Sequence, residues 1–153
     1  MSRRAFRVVV LMLPVVAALA SACGTPTEPT DTVAPPSPTA GLVAVTETFS
    51  GTLVSGGSLL HTFHTMQGPV NVTLDSLDPA DGAPLIGVGI GMWDGLSCQL
   101  VFQSPSGAPG AELPATASIE TQVCIKVWDL GTLDADAALK YHLTAVHNEK
   151  PPS

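Results

Sequence analysis

Leu85-Ile86-Gly87-Val88-Gly89-Ile90-Gly91-Met92-Trp93 alternates strictly between two kinds of position. Ile86, Val88, Ile90 and Met92 fall on one side of an extended chain, and Gly87, Gly89 and Gly91 on the other. A period of two with branched side chains on one face is the pattern of a β-strand laid on a core. The glycine side predicts a second backbone approaching closely, or else a shallow smooth groove. Outward from this stretch the same period recurs. Val70, Val72 and Leu74 share a face, as do Val123, Ile125 and Val127, and then Leu139, Tyr141, Leu143 and Ala145.

Eight strands are predicted in all: Val43–Leu53, Ser58–Met66, Val70–Leu77, Leu85–Trp93, Ser97–Gln103, Ala115–Ile119, Thr121–Asp129 and Leu139–His147. Turn residues punctuate them: Ser55-Gly56-Gly57, Gln67-Gly68-Pro69, Asp78-Pro79-Ala80-Asp81-Gly82, Asp94-Gly95 and Ser104-Pro105-Ser106-Gly107. No stretch holds a helical period. Residues 42–149 therefore read as one all-β domain, an antiparallel β-sandwich, with 150–153 as a short tail.

The chain ahead of this domain has a different character. Met1 to Arg7 is basic, Val8 to Ala20 is an apolar run interrupted by Pro14, and Ala20-Ser21-Ala22-Cys23 follows. Thirteen apolar residues are short of the roughly 20 that a bilayer crossing needs, so residues 1–22 read as a signal peptide. Ala20-Ser21-Ala22-Cys23 resembles the lipobox of bacterial lipoproteins, with Ala20 where that pattern usually has leucine. The resemblance implies cleavage before Cys23 and lipid on its thiol, and hence a partner in the membrane. Plain A-x-A cleavage before Cys23, giving a soluble secreted protein, is the alternative. Ser2-Arg3-Arg4-Ala5-Phe6 also resembles the twin-arginine export signature, with Arg7 where that family prefers an apolar residue.

Residues 24–41 contain five prolines and five threonines, and Val33 is their one sizeable apolar side chain. Such a segment has nothing to bury and favours extended conformations, reaching about 50 Å at roughly 3.1 Å per residue. We read 23–41 as a disordered, lipid-anchored, Pro/Thr-rich tether.

Charge and cysteine narrow the setting. From residue 23 onward the chain has 13 carboxylates, three lysines and no arginine, a balance of −10. Nucleic-acid binding is disfavoured, because it depends on cationic side chains neutralising phosphates. With Cys23 assigned to lipid, Cys98 and Cys124 remain as one pair. An oxidising compartment predicts a disulfide between them, contributing roughly 3–4 kcal/mol by the chain-entropy estimate.

The strands also carry a resemblance. Phe49-Ser50-Gly51-Thr52-Leu53, His61-Thr62-Phe63-His64-Thr65, and Val70-Asn71-Val72-Thr73-Leu74 are joined by Val123–Asp129 and Tyr141-His142-Leu143-Thr144. Together they resemble the bacterial pre-peptidase C-terminal domain, although the Asp-Leu-Asp-Leu stretch often seen in its middle strand is missing. That resemblance implies an antiparallel jelly-roll-like β-sandwich serving as an accessory module rather than a catalyst.

No residue set indicates an enzyme, a metal or a cofactor. His61 and His64, and likewise His142 and His147, face opposite sides of their strands and read as surface or satisfied histidines. Ser97, Ser104, Ser106 and Ser118 lack a G-x-S-x-G setting. Asp78-x-x-Asp81-Gly82 is a calcium-like fragment, with solvated turn aspartates as the simpler reading. Trp93 and Trp128 are the candidate ligand contacts, because an exposed tryptophan stacks on sugars or anchors a partner protein. The expectation is a bacterial envelope lipoprotein facing outside the cytoplasm, binding a polysaccharide or an envelope protein. An envelope enzyme or enzyme inhibitor is the alternative.

Overall fold

The computed structural model describes residues 41–80 and 84–152. The leader, Cys23 and the tether up to residue 40 lie outside the described residues, as do Asp81 and Gly82 of the calcium-like fragment. Eight strands follow in order: β1 (Val43–Val54), β2 (Ser58–Thr65), β3 (Gly68–Asp78), β4 (Ile86–Trp93), β5 (Cys98–Gly107), β6 (Glu112–Ala117), β7 (Thr121–Asp129) and β8 (Ala138–Glu149).

They form two four-stranded antiparallel sheets. Sheet A runs β1-β8-β3-β6 and sheet B runs β2-β7-β4-β5. Only the β4–β5 hairpin stays within a sheet; every other connection crosses to the opposite one. The strand pattern predicts the antiparallel sandwich, and this strand order is that of a jelly roll.

The alternating rows supply the core. Val70, Val72, Leu74, Leu139, Tyr141, Leu143 and Ala145 of sheet A are buried against Phe63, Ile86, Val88, Ile90, Val123, Ile125 and Val127 of sheet B. Burying a Val, Leu, Ile or Phe side chain is worth roughly 1.5–3 kcal/mol. Facing rows of this kind therefore set the register of both sheets, since a one-residue slip would turn each row to water.

Three expectations need correction. Met92 does not share the burial of Ile86, Val88 and Ile90; it is 50 % exposed, at the end of β4 where it lines an open groove. Ser104-Pro105-Ser106-Gly107 is not a turn but the end of β5. Pro105 and Ser106 sit where the β4–β5 register shifts between Ile86 and Val88. A bulge on an edge strand accepts a proline, because no ladder hydrogen bond is needed there. The sixth strand begins earlier than expected and ends at Ala117, leaving Ile119 in an exposed loop.

Candidate functional site

The outer face of sheet B differs from ordinary solvent-facing sheet. Strand pairing sets Ser58, Trp128 and Gly87 side by side, followed by Leu60, Lys126 and Gly89, then Thr62, Cys124 and Gly91. Without side chains on β4, the neighbouring strands fold their own over it. The Trp128 indole covers Gly87, where an added Cβ would fall inside the ring. Leu100 covers Gly89, and the β5 backbone at Gln99 presses against Gly91. The glycine stripe is thus closely packed, by side chains as well as by backbone.

Gly91 also bears on the disulfide. Cys98 and Cys124 are bonded, with Cα atoms 5.8 Å apart. Their strands, β5 and β7, are not neighbours, because β4 lies between them. Gly91 stands opposite Cys124, and the β5 backbone next to Cys98 packs against it, so β5 approaches β7 where β4 has no side chain.

The β4–β5 turn is built around Asp94. Its carboxylate accepts hydrogen bonds from the Leu96 and Ser97 amides at 2.8 and 2.7 Å, from Ser97 Oγ at 2.8 Å, and from Gln99 Nε2 at 3.3 Å. These donors hold the carboxyl well below the usual carboxylate range, the Ser97 amide contributing most. Gly95 takes a left-handed φ of 97°, open to glycine at no steric cost. The result is a tied turn with Leu96 at its tip, 92 % exposed. Leu96, Trp93, Leu59, Leu60, Cys98 and Lys126 line a shallow depression of about 330 Å³.

At the other end of this face, Asp129 plays the same part. It accepts from the amides of Gly56 at 2.8 Å, Thr132 at 3.1 Å and Leu133 at 3.2 Å. Its carboxyl is held below the ordinary range, chiefly by the Gly56 amide. Both tryptophans are half-buried on this one face. Gly87, beneath Trp128, and Trp93 are six steps apart on β4, so the two positions stand about 20 Å apart along the strand. The fold brings them to one surface but not to one subsite.

Neither a family model nor a curated protein matches this sequence. Three solved structures are similar to it. The Yersinia pseudotuberculosis-derived mitogen aligns over 72 % of this chain and 92 % of its own, with a TM-score of 0.51 and 12 % identity. The Aeromonas hydrophila PliG, a periplasmic lysozyme inhibitor of g-type lysozyme, covers 69 % of this chain and 88 % of its own. Its TM-score is 0.47 and its identity 12 %. A Bacillus endospore appendage protein of disulfide-linked pili covers 72 % and 91 %, with a TM-score of 0.39 and 12 % identity.

Two further features complete the survey. An apolar groove of about 260 Å³ opens between the edge strands of the two sheets, walled by Met92, Val101, Ala117 and Ile119. On the opposite side, inward-facing rings form a row. Phe49 lies 5.2 Å from His61 and 5.9 Å from Phe63, and Phe63 lies 4.7 Å from His147. His61 Nε2 and the Tyr141 hydroxyl share a 2.7 Å hydrogen bond. Burial lowers the pKa of His61 and pushes that of Tyr141 up to about 12.

Asp78 of the calcium-like fragment pairs with Lys140 at 3.5 Å, and Asp75 nearby on β3 accepts from Thr144 at 2.7 Å. Leu60 and Leu96 are the surface residues that sequence reasoning missed. The signal for Leu96 was an apolar residue inside an Asp-Gly-Leu-Ser turn. For Leu60 it was an apolar residue out of phase with Leu59, His61 and Phe63.

Proposed function

We propose that this chain is a cell-envelope lipoprotein that displays a non-catalytic jelly-roll module and binds an envelope protein through the outer face of sheet B. The carrying observation is that face itself: Leu60, Trp93 and Leu96 gather there around a depression, with Lys126 as the charge among them, and Leu100 and Trp128 extend the apolar surface over the glycine stripe. Interfaces are anchored by aromatic and aliphatic side chains seated in or beside pockets, and their centres are poor in charge. The Asp94 and Asp129 turns hold both ends of the face in place before a partner arrives, which lowers the ordering cost of binding.

Several features support the placement. The signal-like leader and the Ala20-Ser21-Ala22-Cys23 stretch direct the chain outward and offer a thiol for lipid. A disulfide suits an oxidising compartment. The resemblance to the pre-peptidase C-terminal domain favours an accessory module over a catalyst. His61 and His147 are engaged with Tyr141 and Glu47, which speaks for structural rather than nucleophile-activating histidines.

The test uses the exported protein in the cells that make it. Cys23→Ser should move it from the membrane fraction to the soluble one; a variant that still sediments with membranes contradicts the anchor. The released Cys23→Ser protein should rebind isolated envelopes, and adding Leu96→Ser and Trp128→Ala should abolish that rebinding. Undiminished rebinding would contradict the recognition face.

A second reading rests on Trp128, whose indole covers Gly87 and is itself only half-buried. That geometry suits a sugar ring. Co-sedimentation with purified wall polysaccharide, lost on Trp128→Ala alone, would favour it over a protein partner.

A further inference from the structure

Sheet A ends differently from how it runs. Its inward row on β8 is Leu139, Tyr141, Leu143 and Ala145, and the next two positions of that row are His147 and Glu149. Strand β1 pairs Val45 with His147 and Val43 with Glu149, and Glu47 is the diagonal neighbour of His147 on the same face. One imidazole and two carboxylates, from the first strand and the last, thus point into one corner of the sandwich. Their potential ligand atoms all lie within 4.8 Å of one another.

The arrangement makes poor sense as an ion pair alone. His147 is 1 % exposed and its ring lies tilted against Phe63, with centroids 4.7 Å apart, so it is fixed in place. Nδ1 is buried without a partner, and Nε2 is aimed at the carboxylates. Nε2 to Glu47 Oε1 is 3.3 Å, longer than the roughly 2.7–2.9 Å of a charge-assisted hydrogen bond. It does equal the separation of two ligand atoms on one tetrahedral zinc ion, about 3.3–3.5 Å for bonds of roughly 2.0–2.1 Å. Two carboxylates so close also repel unless a cation lies near. Lys150, adjacent in sequence, reaches instead toward Glu120 at 3.9 Å.

We infer that Glu47, His147 and Glu149 form a site for a divalent transition metal, zinc by the chemistry of the donors. Imidazole with carboxylate suits zinc, whereas calcium takes oxygen ligands. His147 supplies the rigid ligand. The two glutamates are half-buried at the sandwich edge and need only rotamer adjustment to close on the ion. Three protein ligands leave a fourth position for water. The metal would tie β1, the strand into which the tether leads, to β8. The site is independent of the proposed recognition face, which lies on the other sheet.

No local pattern marks this site, because its ligands lie about a hundred residues apart and meet only through β1–β8 pairing. Its one local sign was His147-x-Glu149, two potential ligands on the same face of a strand.

The test is a titration of the chelator-treated, exported protein with Co²⁺ and then Zn²⁺. One equivalent of Co²⁺ should produce the visible d–d bands of a tetrahedral complex, and Zn²⁺ should displace it. Glu149→Gln, at the strand end where the fold tolerates change, should weaken binding by roughly tenfold or more and remove the bands. Glu47→Gln should do the same, while His142→Ala, on the exposed outer face, should leave them unchanged. Absence of the bands in the unaltered protein would overturn the site. So would one-equivalent binding that survives both glutamine substitutions.

Discussion

The two sheets bury matching rows of branched side chains, yet their outer faces have nothing in common. Along β1, sheet A shows water Thr46, Thr48, Ser50 and Thr52, and along β8 it shows Lys140, His142 and Thr144. Sheet B shows Leu60 and Trp93 beside a stripe of glycines that Trp128, Leu100 and the β5 backbone cover, with a disulfide between β5 and β7. Both faces obey the same alternation, so alternation alone selects the fold. The residues on the solvent row decide what each face can do. Hydroxyl-rich rows keep a sheet soluble, whereas a packed apolar face with a depression in it is a docking surface.

The largest effect that sharpens this contrast lies in the disulfide. Reducing it, or making Cys98→Ser with Cys124→Ser, should cost roughly 3 kcal/mol and lower the melting temperature by roughly 10–20 °C in a calorimetric scan. A shift of only a degree or two would mean that sheet B does not need its crosslink.

Gly87→Ala comes next. Its Cβ would meet the Trp128 ring, so the indole must move or the strands part, costing about 1–3 kcal/mol by denaturant titration. Trp128 should then emit at longer wavelength as it gains solvent. An unchanged spectrum with full stability would show that the ring is not seated on the glycine.

Tyr141→Phe probes the interior shared by both sheets. It should cost about 1–3 kcal/mol, because His61 Nε2 loses its partner in a partly buried setting, and it should leave recognition by sheet B unaltered. The same pair predicts an acid response. The folded pKa of His61 lies below its ordinary value of 6.5. Its contribution to stability is therefore complete above about pH 6.5 and is lost as pH falls through the lowered folded value. Urea midpoints measured across that range should fall, and His61→Gln should flatten that part of the curve.

Thr48→Ala on the outer face of sheet A should be the mildest change, within about 0.5 kcal/mol in the same urea titrations. A loss of binding there would reverse the assignment of the two faces.

How much of this was legible before folding depends on the distance between the residues concerned. The rows Val70-Val72-Leu74 and Val123-Ile125-Val127 announce their strands locally, because period-two burial is written in consecutive residues. The Cys98–Cys124 bridge followed from arithmetic once Cys23 was set aside. Met92 was misread because alternation says which side a residue faces but not where the opposing sheet stops. Pro105 and Gly107 were taken for a turn because an edge-strand bulge and a turn favour the same residues. That Trp128 covers Gly87 needed the β4–β7 register, which no local pattern contains. The Glu47–His147 pairing needed the first and last strands to meet.

The central claim is that sheet B carries the recognition face and sheet A does not. A photo-crosslinking side chain placed at Leu96, in the anchored protein in living cells, tests it against the same side chain at Thr48. The account predicts one discrete envelope-protein adduct from position 96 and none from position 48. Equal labelling from both positions, or an adduct from position 48 alone, would contradict it.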